Sequence, residues 1–340
     1  MIKIDRKFVD AIRASQSGPD LWIHLQNAIK LEHSTIPPYI TAMFSLKPGT
    51  NQSISNLIRS IVIQEMQHMT IASNILIAIG GKPEINTNNF IPAYPGPLPM
   101  NVGDLRVGIE GFSIPLVKNV FKIIEEPEHE IPVTTGLVTE AEQFATIGQF
   151  YDAVKDQITN LGPDIFVQKQ APPQVLASAY FPPNVLFPIT SPSDANRAID
   201  IIKTQGEGTS SNPFDTPGEP AHFYRFGEIA AGKTLIKTAT GFSYGGDPIP
   251  FDSSGVFLLR PNCKIADYQA DTQARTRITQ FAYSYSSLLN ALHAAFNGQP
   301  DKLDAAVGLM YDLRTSAASL MDTPDPTAPG LNVGPSFEYV

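Results

Sequence analysis

Gln64-Glu65-Met66-Gln67-His68-Met69 sits inside a run, residues 53–79, whose apolar positions recur at helical spacing: Ile54, Ile58, Ile61, Val62, Met69, Ala72, Ile75, Leu76 and Ile79. Ser53 is the expected N-cap and Gly80-Gly81 the stop. Glu65 follows Ile61 by four residues and His68 follows Glu65 by three, so both fall on the apolar face. A helix is also predicted upstream, over 20–46, with Leu21, Leu25, Ala28, Ile29, Ile36, Tyr39 and Ile40 on its stripe. Glu32, in Leu31-Glu32-His33-Ser34-Thr35-Ile36-Pro37-Pro38-Tyr39, lies on that stripe too. Pro37 and Pro38 should kink this helix or locally break its hydrogen bonding. The short link at Lys47-Pro48-Gly49 makes the two helices an antiparallel hairpin. A buried carboxylate is costly unless it is paired or coordinates a metal. Three such groups on neighbouring helices call for one shared partner.

A second Glu-x-x-His, Glu219-Pro220-Ala221-His222, opens a helix predicted over 219–231, whose face continues through Phe223, Phe226 and Ile229. Two Glu-x-x-His pairs plus a Glu from each of two other helices form the ligand set of carboxylate-bridged di-iron and di-manganese bundles. Carboxylate and imidazole donors suit those metals. The sixth ligand is open. Glu140 lies on the apolar face of a helix predicted over 137–159 (Leu137, Phe144, Ile147, Tyr151, Val154, Ile158), and spacing alone favours it. Glu142 points the other way, Gln149 is central but uncharged, and Glu125 ends a short helix over 114–125.

Further helices are expected at 193–205, capped by Ser193, and at 270–297 and 300–321, with a small β excursion within 233–260. Residues 82–112 and 161–192 read as proline-rich loops. The 340 residues include 30 prolines, about 9% against roughly 5% in average usage. With 42% hydrophobic residues the chain is no disordered polymer, so those prolines belong to long ordered loops around a core. One elaborated domain over 1–340 is the expected organisation. Net charge is −9 and no basic cluster occurs, which argues against nucleic acid. A single cysteine, Cys263, excludes an internal disulfide and thiolate zinc sites, and it has no base placed to make it a nucleophile. No apolar run reaches about 18 residues, and the N-terminus lacks a signal-peptide core, so a cytoplasmic protein with no membrane partner is expected. His24, His33, His129 and His293 have no partner spacing and read as surface or core residues.

These residues resemble the ferritin-like domain family of the iminophenyl-pyruvate dimer synthases, the enzymes of violacein- and rebeccamycin-type bisindole biosynthesis. The matching stretches are Leu31 to Tyr39, Gln64 to Met69 running into Asn74 to Gly81, Tyr94 to Pro99, Thr146 to Tyr151, Gln205 to Gly208, Ala221 to Phe226 and Gly334 to Tyr339. The resemblance implies a mostly α, ferritin-like four-helix bundle (helices 20–46, 53–79, 137–159 and 219–231) with extra helices. It implies metal ligands at Glu32, Glu65, His68, Glu219 and His222. The family pattern F-x-x-[IL]-E-x-P matches Phe121 to Pro127, which puts Glu125 ahead of Glu140 as the sixth ligand and leaves Gln149 as a neutral neighbour. Gln64, where relatives often have Glu, should lie outside the ligand set. The bisindole synthases carry a long region before this domain that these residues lack, so imino-acid dimerisation does not carry over directly.

The expected function is that of a two-iron protein, manganese being the other candidate. It would use O₂ to oxidise a small organic or amino-acid-derived substrate in secondary metabolism. Glu65 and Glu219 would bridge, and the loops at 82–112 and 161–218 would wall the substrate pocket. A homodimer is the assembly left open. The alternative is an iron-handling protein with no organic substrate.

Overall fold

Ten helical segments follow one another in the computed structural model, which describes residues 3–101, 103–127, 144–167, 172–178, 181–209, 211–215 and 218–340. They are α1 (Arg6–Ala14), α2 (Gly18–Phe44), α3 (Gln52–Ala78), α4 (Ile114–Leu116), α5 (Lys122–Ile124), α6 (Ile147–Leu161), α7 (Pro192–Glu207), α8 (His222–Ala231), α9 (Gln273–Phe296) and α10 (Lys302–Met321). A π turn, Val117–Phe121, joins α4 to α5. The helices α2 and α3 pack as one hairpin and α9 and α10 as another. On α2 and α3 rest α6 and α7, while α8 sits on α3 and the π turn. The mostly α fold is as the sequence pattern predicts.

Where expectation and structure part, local chemistry gives the reason. Helix α6 begins at Ile147, because Thr146 and Gln149 form a capping box there. Phe144 belongs instead to a strand, β2 (Phe144–Ala145), paired antiparallel with β1 (Ile4–Asp5). Two-residue strands carry no readable period, so this pair is invisible in the sequence. The excursion within 233–260 is a hairpin of β3 (Ile236–Thr238) and β4 (Gly241–Ser243). Ser191, not Ser193, caps α7, accepting from Asp194 N–H. Asn51 precedes α3 in place of Ser53, and its amide holds the distant Asp252 and Gly255 carbonyls.

Pro37 and Pro38 do not break α2, which runs through them. Their rings remove two N–H donors and so free the carbonyls of His33 and Ser34. The buried Tyr94 hydroxyl donates to Ser34 O at 2.6 Å, and Thr41 Oγ1 donates to Pro37 O at 2.7 Å. A residue of the 82–112 loop therefore satisfies a helix carbonyl that the helix cannot. Tyr94→Phe leaves that carbonyl buried without a donor and is expected to cost about 1–2 kcal/mol in denaturant unfolding; an unchanged midpoint would show that the carbonyl is satisfied otherwise.

Proline-rich loops offer few N–H groups, and side-chain amides dock them instead. Asn74 donates to Val175 O at 2.7 Å and accepts from Val175 N at 3.1 Å. Gln174 makes the same two-way pair with Ile189, and Gln26 with Glu84. These described stretches of the proline-rich loops are thus held by side-chain amides.

Candidate metal centre

Five of the six residues singled out as ligands converge. Glu32 comes from α2, Glu65 and His68 from α3, Glu125 from the C-terminal end of α5 and His222 from the first turn of α8. They form two donor sets that share Glu65: Glu32, Glu65 and His68, and Glu65, Glu125 and His222. Glu65 Oε1 lies 2.8 Å from His222 Nδ1 and 4.0 Å from His68 Nδ1. Glu32 Oε2 is 3.4 Å from His68 Nδ1, and Glu125 Oε2 is 3.4 Å from His222 Nδ1. The two imidazoles stack with centroids 5.4 Å apart.

Every donor group is held from behind. The outer oxygen of each carboxylate accepts a hydroxyl: Tyr151 donates to Glu32 Oε1, Thr35 to Glu65 Oε2 at 2.9 Å and Tyr39 to Glu125 Oε1 at 2.5 Å. Each imidazole Nε2 meets a glutamine carbonyl oxygen at 2.9 Å, Gln205 for His68 and Gln64 for His222. An amide oxygen only accepts, so each Nε2 carries a proton, and Nδ1 is the ring atom left to face a cation. The inner carboxyl oxygens and the Nδ1 atoms of the five residues are therefore turned toward one another. His222 Nδ1 has no hydrogen-bond partner and is fully buried. This donor chemistry fits cations, and outer-shell partners of this kind orient metal ligands.

The electrostatics agree. Burial, then the Glu125 and Glu32 charges, push the Glu65 carboxyl well above the usual carboxylate range. Burial and the adjacent carboxylates, Glu125 first for Tyr39 and Glu32 for Tyr151, raise both phenols, which stay protonated as donors. Three carboxyl groups and two imidazoles thus share one largely buried space, an arrangement that a bound cation would stabilise.

Glu219, expected as a bridging ligand, is the exception: the structure does not bring it into either donor set. Helix α8 starts at His222, so Glu219 and His222 do not share a helical face. The Glu219 side chain is 63% exposed and pairs with Arg225 Nη2 at 3.0 Å. Arg225 is 1% exposed; it donates to Pro220 O and Ser60 Oγ and faces buried Asp215 at 3.6 Å. That carboxylate meets a buried guanidinium instead of the cluster. Gln149 accepts from Thr146 N–H in its capping box and does not line the centre. Glu140, like Glu142 and His129, lies outside the described residues.

Tyr39, Tyr151, Thr35, Gln64 and Gln205 carry no ligand signal in the sequence. Only the i, i+3 and i, i+7 positions of Thr35 and Tyr39 relative to Glu32 place them on its side of α2. The π turn, a feature frequent at functional sites, sets the rotation of α5 that ends in Glu125. Cys263 is buried, accepts from Tyr268 and Gly334 N–H, and its thiol is pushed up by burial, as expected of an inert cysteine.

A cavity of about 40 Å³ opens on Glu32, Glu65, His68 and Glu125 and runs out to half-buried Lys203, Gly206 and Glu207 on α7. That is room for a few waters or a diatomic molecule. The loop at 82–112 contributes no lining residue there, contrary to expectation; its described residues lie over α2 instead. Among the described residues no helix is long and apolar enough to cross a membrane.

Residues 25–231 match the Ferritin-like family model. No curated protein matches the chain. Among solved structures, a ferritin-like protein from Caulobacter vibrioides is similar, at 23% identity and TM-score 0.62, over 94% of this chain and 98% of that one.

Proposed function

Because the chain belongs to the ferritin-like family, we propose that its five-residue cluster binds two iron ions and that the protein is an O₂-dependent oxidoreductase of a small organic or amino-acid-derived substrate. The reading is finer than family membership and follows the resemblance to the iminophenyl-pyruvate dimer synthase domains. The observation that carries it is the Glu65 carboxyl group, whose inner oxygen stands between two imidazoles that both turn Nδ1 toward it. Glu32 and His68 would hold one ion, Glu125 and His222 the other, and Glu65 both. Bound there, two irons would supply Lewis acidity and electrons for dioxygen.

The chain's own groups prepare the site. Gln64 and Gln205 hold protons on His222 Nε2 and His68 Nε2, which would leave Nδ1 to a metal. Tyr39, Tyr151 and Thr35 keep their protons on the outer carboxylate oxygens, which aims the inner ones. The apolar walls from Leu31, Ile124, Ile147 and Ile202 limit water. An organic substrate is larger than the cavity, so it would meet the rim at Glu126, Lys203 and Glu207.

The same small cavity favours a second reading, iron handling without an organic substrate. Anaerobic Fe(II) titration followed by O₂ separates the two. The oxidoreductase reading expects two irons per chain, one round of oxidation and no further iron consumed without an organic reductant. Repeated oxidation of added Fe(II) favours iron handling. Fewer than about 0.2 ions per chain would sink both.

A further inference from the structure

On the opposite side of the α2–α3 pair lies a much larger cavity, about 410 Å³, closed by the α9–α10 hairpin. It shares no lining residue with the metal centre. The hairpin lies outside the 25–231 segment that matches the family model, so the cavity joins the family fold to an addition. The volume falls in the range of small-molecule sites.

Its chemistry is one-sided. Ile40, Met66 and Met69 of α2 and α3 face Leu289, Phe296 and Met310 of the hairpin. Unbranched methionines adapt to flexible apolar chains. Every charged side chain in the lining is cationic: Lys47, Arg59 and Arg314. In a chain with 33 acidic against 24 basic residues, that selection is unexpected for a random surface. Lys47 is engaged, donating to Ser254 O and lying over the Phe257 ring. Arg59 and Arg314 are exposed and have no hydrogen-bond or ion-pair partner among the described residues. Elsewhere on the wall, His33 is buried and its Nε2 is bonded to the Tyr285 hydroxyl. The cavity therefore offers positive charge at its exposed arginines and apolar surface within.

We propose that this cavity binds a free alkyl carboxylic acid, with the chain among the methionines and the carboxylate between Arg59 and Arg314. A guanidinium presents the paired donors that a carboxylate accepts. The proposal does not rest on the metal centre.

Isothermal titration with sodium dodecanoate, below its micelle concentration, tests it. One dodecanoate should bind per chain, at least about tenfold tighter than dodecyltrimethylammonium, as expected where charge-assisted bonds orient the ligand. Arg59→Gln with Arg314→Gln, both exposed, should weaken dodecanoate by about tenfold or more and not weaken the cationic amphiphile. Met310→Trp narrows the cavity and should weaken binding of both, with an unchanged melting curve confirming the fold. Absence of dodecanoate binding to the wild-type protein would overturn the proposal. So would equal affinity for the two amphiphiles, or undiminished binding to folded Met310→Trp. Metal-free and iron-loaded protein should bind dodecanoate alike, so failure of the metal reading leaves this result standing.

Discussion

Glu65→Gln is expected to abolish iron binding and, in the metal-free protein, to raise thermal stability. The amide keeps the shape of the side chain and can still accept from Thr35. It loses the charge of the one oxygen shared by both donor sets. Losing an outer-shell partner costs about 10–100-fold in metal affinity, so loss of the shared ligand should exceed about 100-fold. Stability moves the other way, because burial and then Glu125 and Glu32 disfavour this carboxylate.

The pH dependence follows from the same shift. The pKa of Glu65 in the folded chain lies above its ordinary value of 4.5. Its stabilising contribution is present in full below that value and is lost as pH rises through the elevated one. Metal-free wild type should therefore lose stability as pH climbs from about 4.5 toward neutrality, and Glu65→Gln should lose less. Melting curves of both proteins across that window, with iron analysis after equilibrium dialysis, supply the check. Wild-type iron affinity in the variant, or a large drop in its metal-free stability, would make Glu65 a structural ion-pair partner instead.

Arg225→Met should be the most destabilising single change outside the cluster. The guanidinium is buried against Asp215 and Glu219 and donates to Pro220 O and Ser60 Oγ. Asp215 is itself buried, and burial already pushes its carboxyl up. Removing one partner of a buried pair costs about 3–5 kcal/mol, since the other charge is left uncompensated. Denaturant unfolding measures this, and Arg225→Met with Asp215→Asn should lose less than the sum of the single changes. Strict additivity would show that the two residues do not interact. Iron affinity should also fall in Arg225→Met, because Arg225 anchors Pro220 just ahead of His222, and the Gln64 amide that holds His222 faces Asp215.

The two motifs Glu65-x-x-His68 and Glu219-x-x-His222 look alike on paper and differ in the folded chain. The first lies deep inside a 27-residue helix, where the i, i+3 spacing fixes both side chains on one face. The second straddles a helix start, where Pro220 and Ala221 precede the first helical residue. Periodicity reads the interior of a long helix well and its boundary poorly. Glu125 has the converse history. No spacing argument reached it, since the π turn interrupts the period just before it, and only the resemblance pointed there.

The sequence by itself determined the two long apolar-striped helices, the acids and histidine lodged in their stripes, and the mostly α class. Those features depend on neighbours three and four residues away, which the helix repeat places in register. Only the tertiary structure decided what those side chains meet. Tyr151 reaches Glu32 across 119 residues, Gln205 reaches His68 across 137 and Gln64 reaches His222 across 158. Arg225 withdraws Glu219 from the centre, and Tyr94 lets α2 run through two prolines. Hydrogen bonds and ion pairs act over a few ångströms in space, whatever their separation along the chain. They are chosen by which helices pack together, and no local repeat encodes that choice.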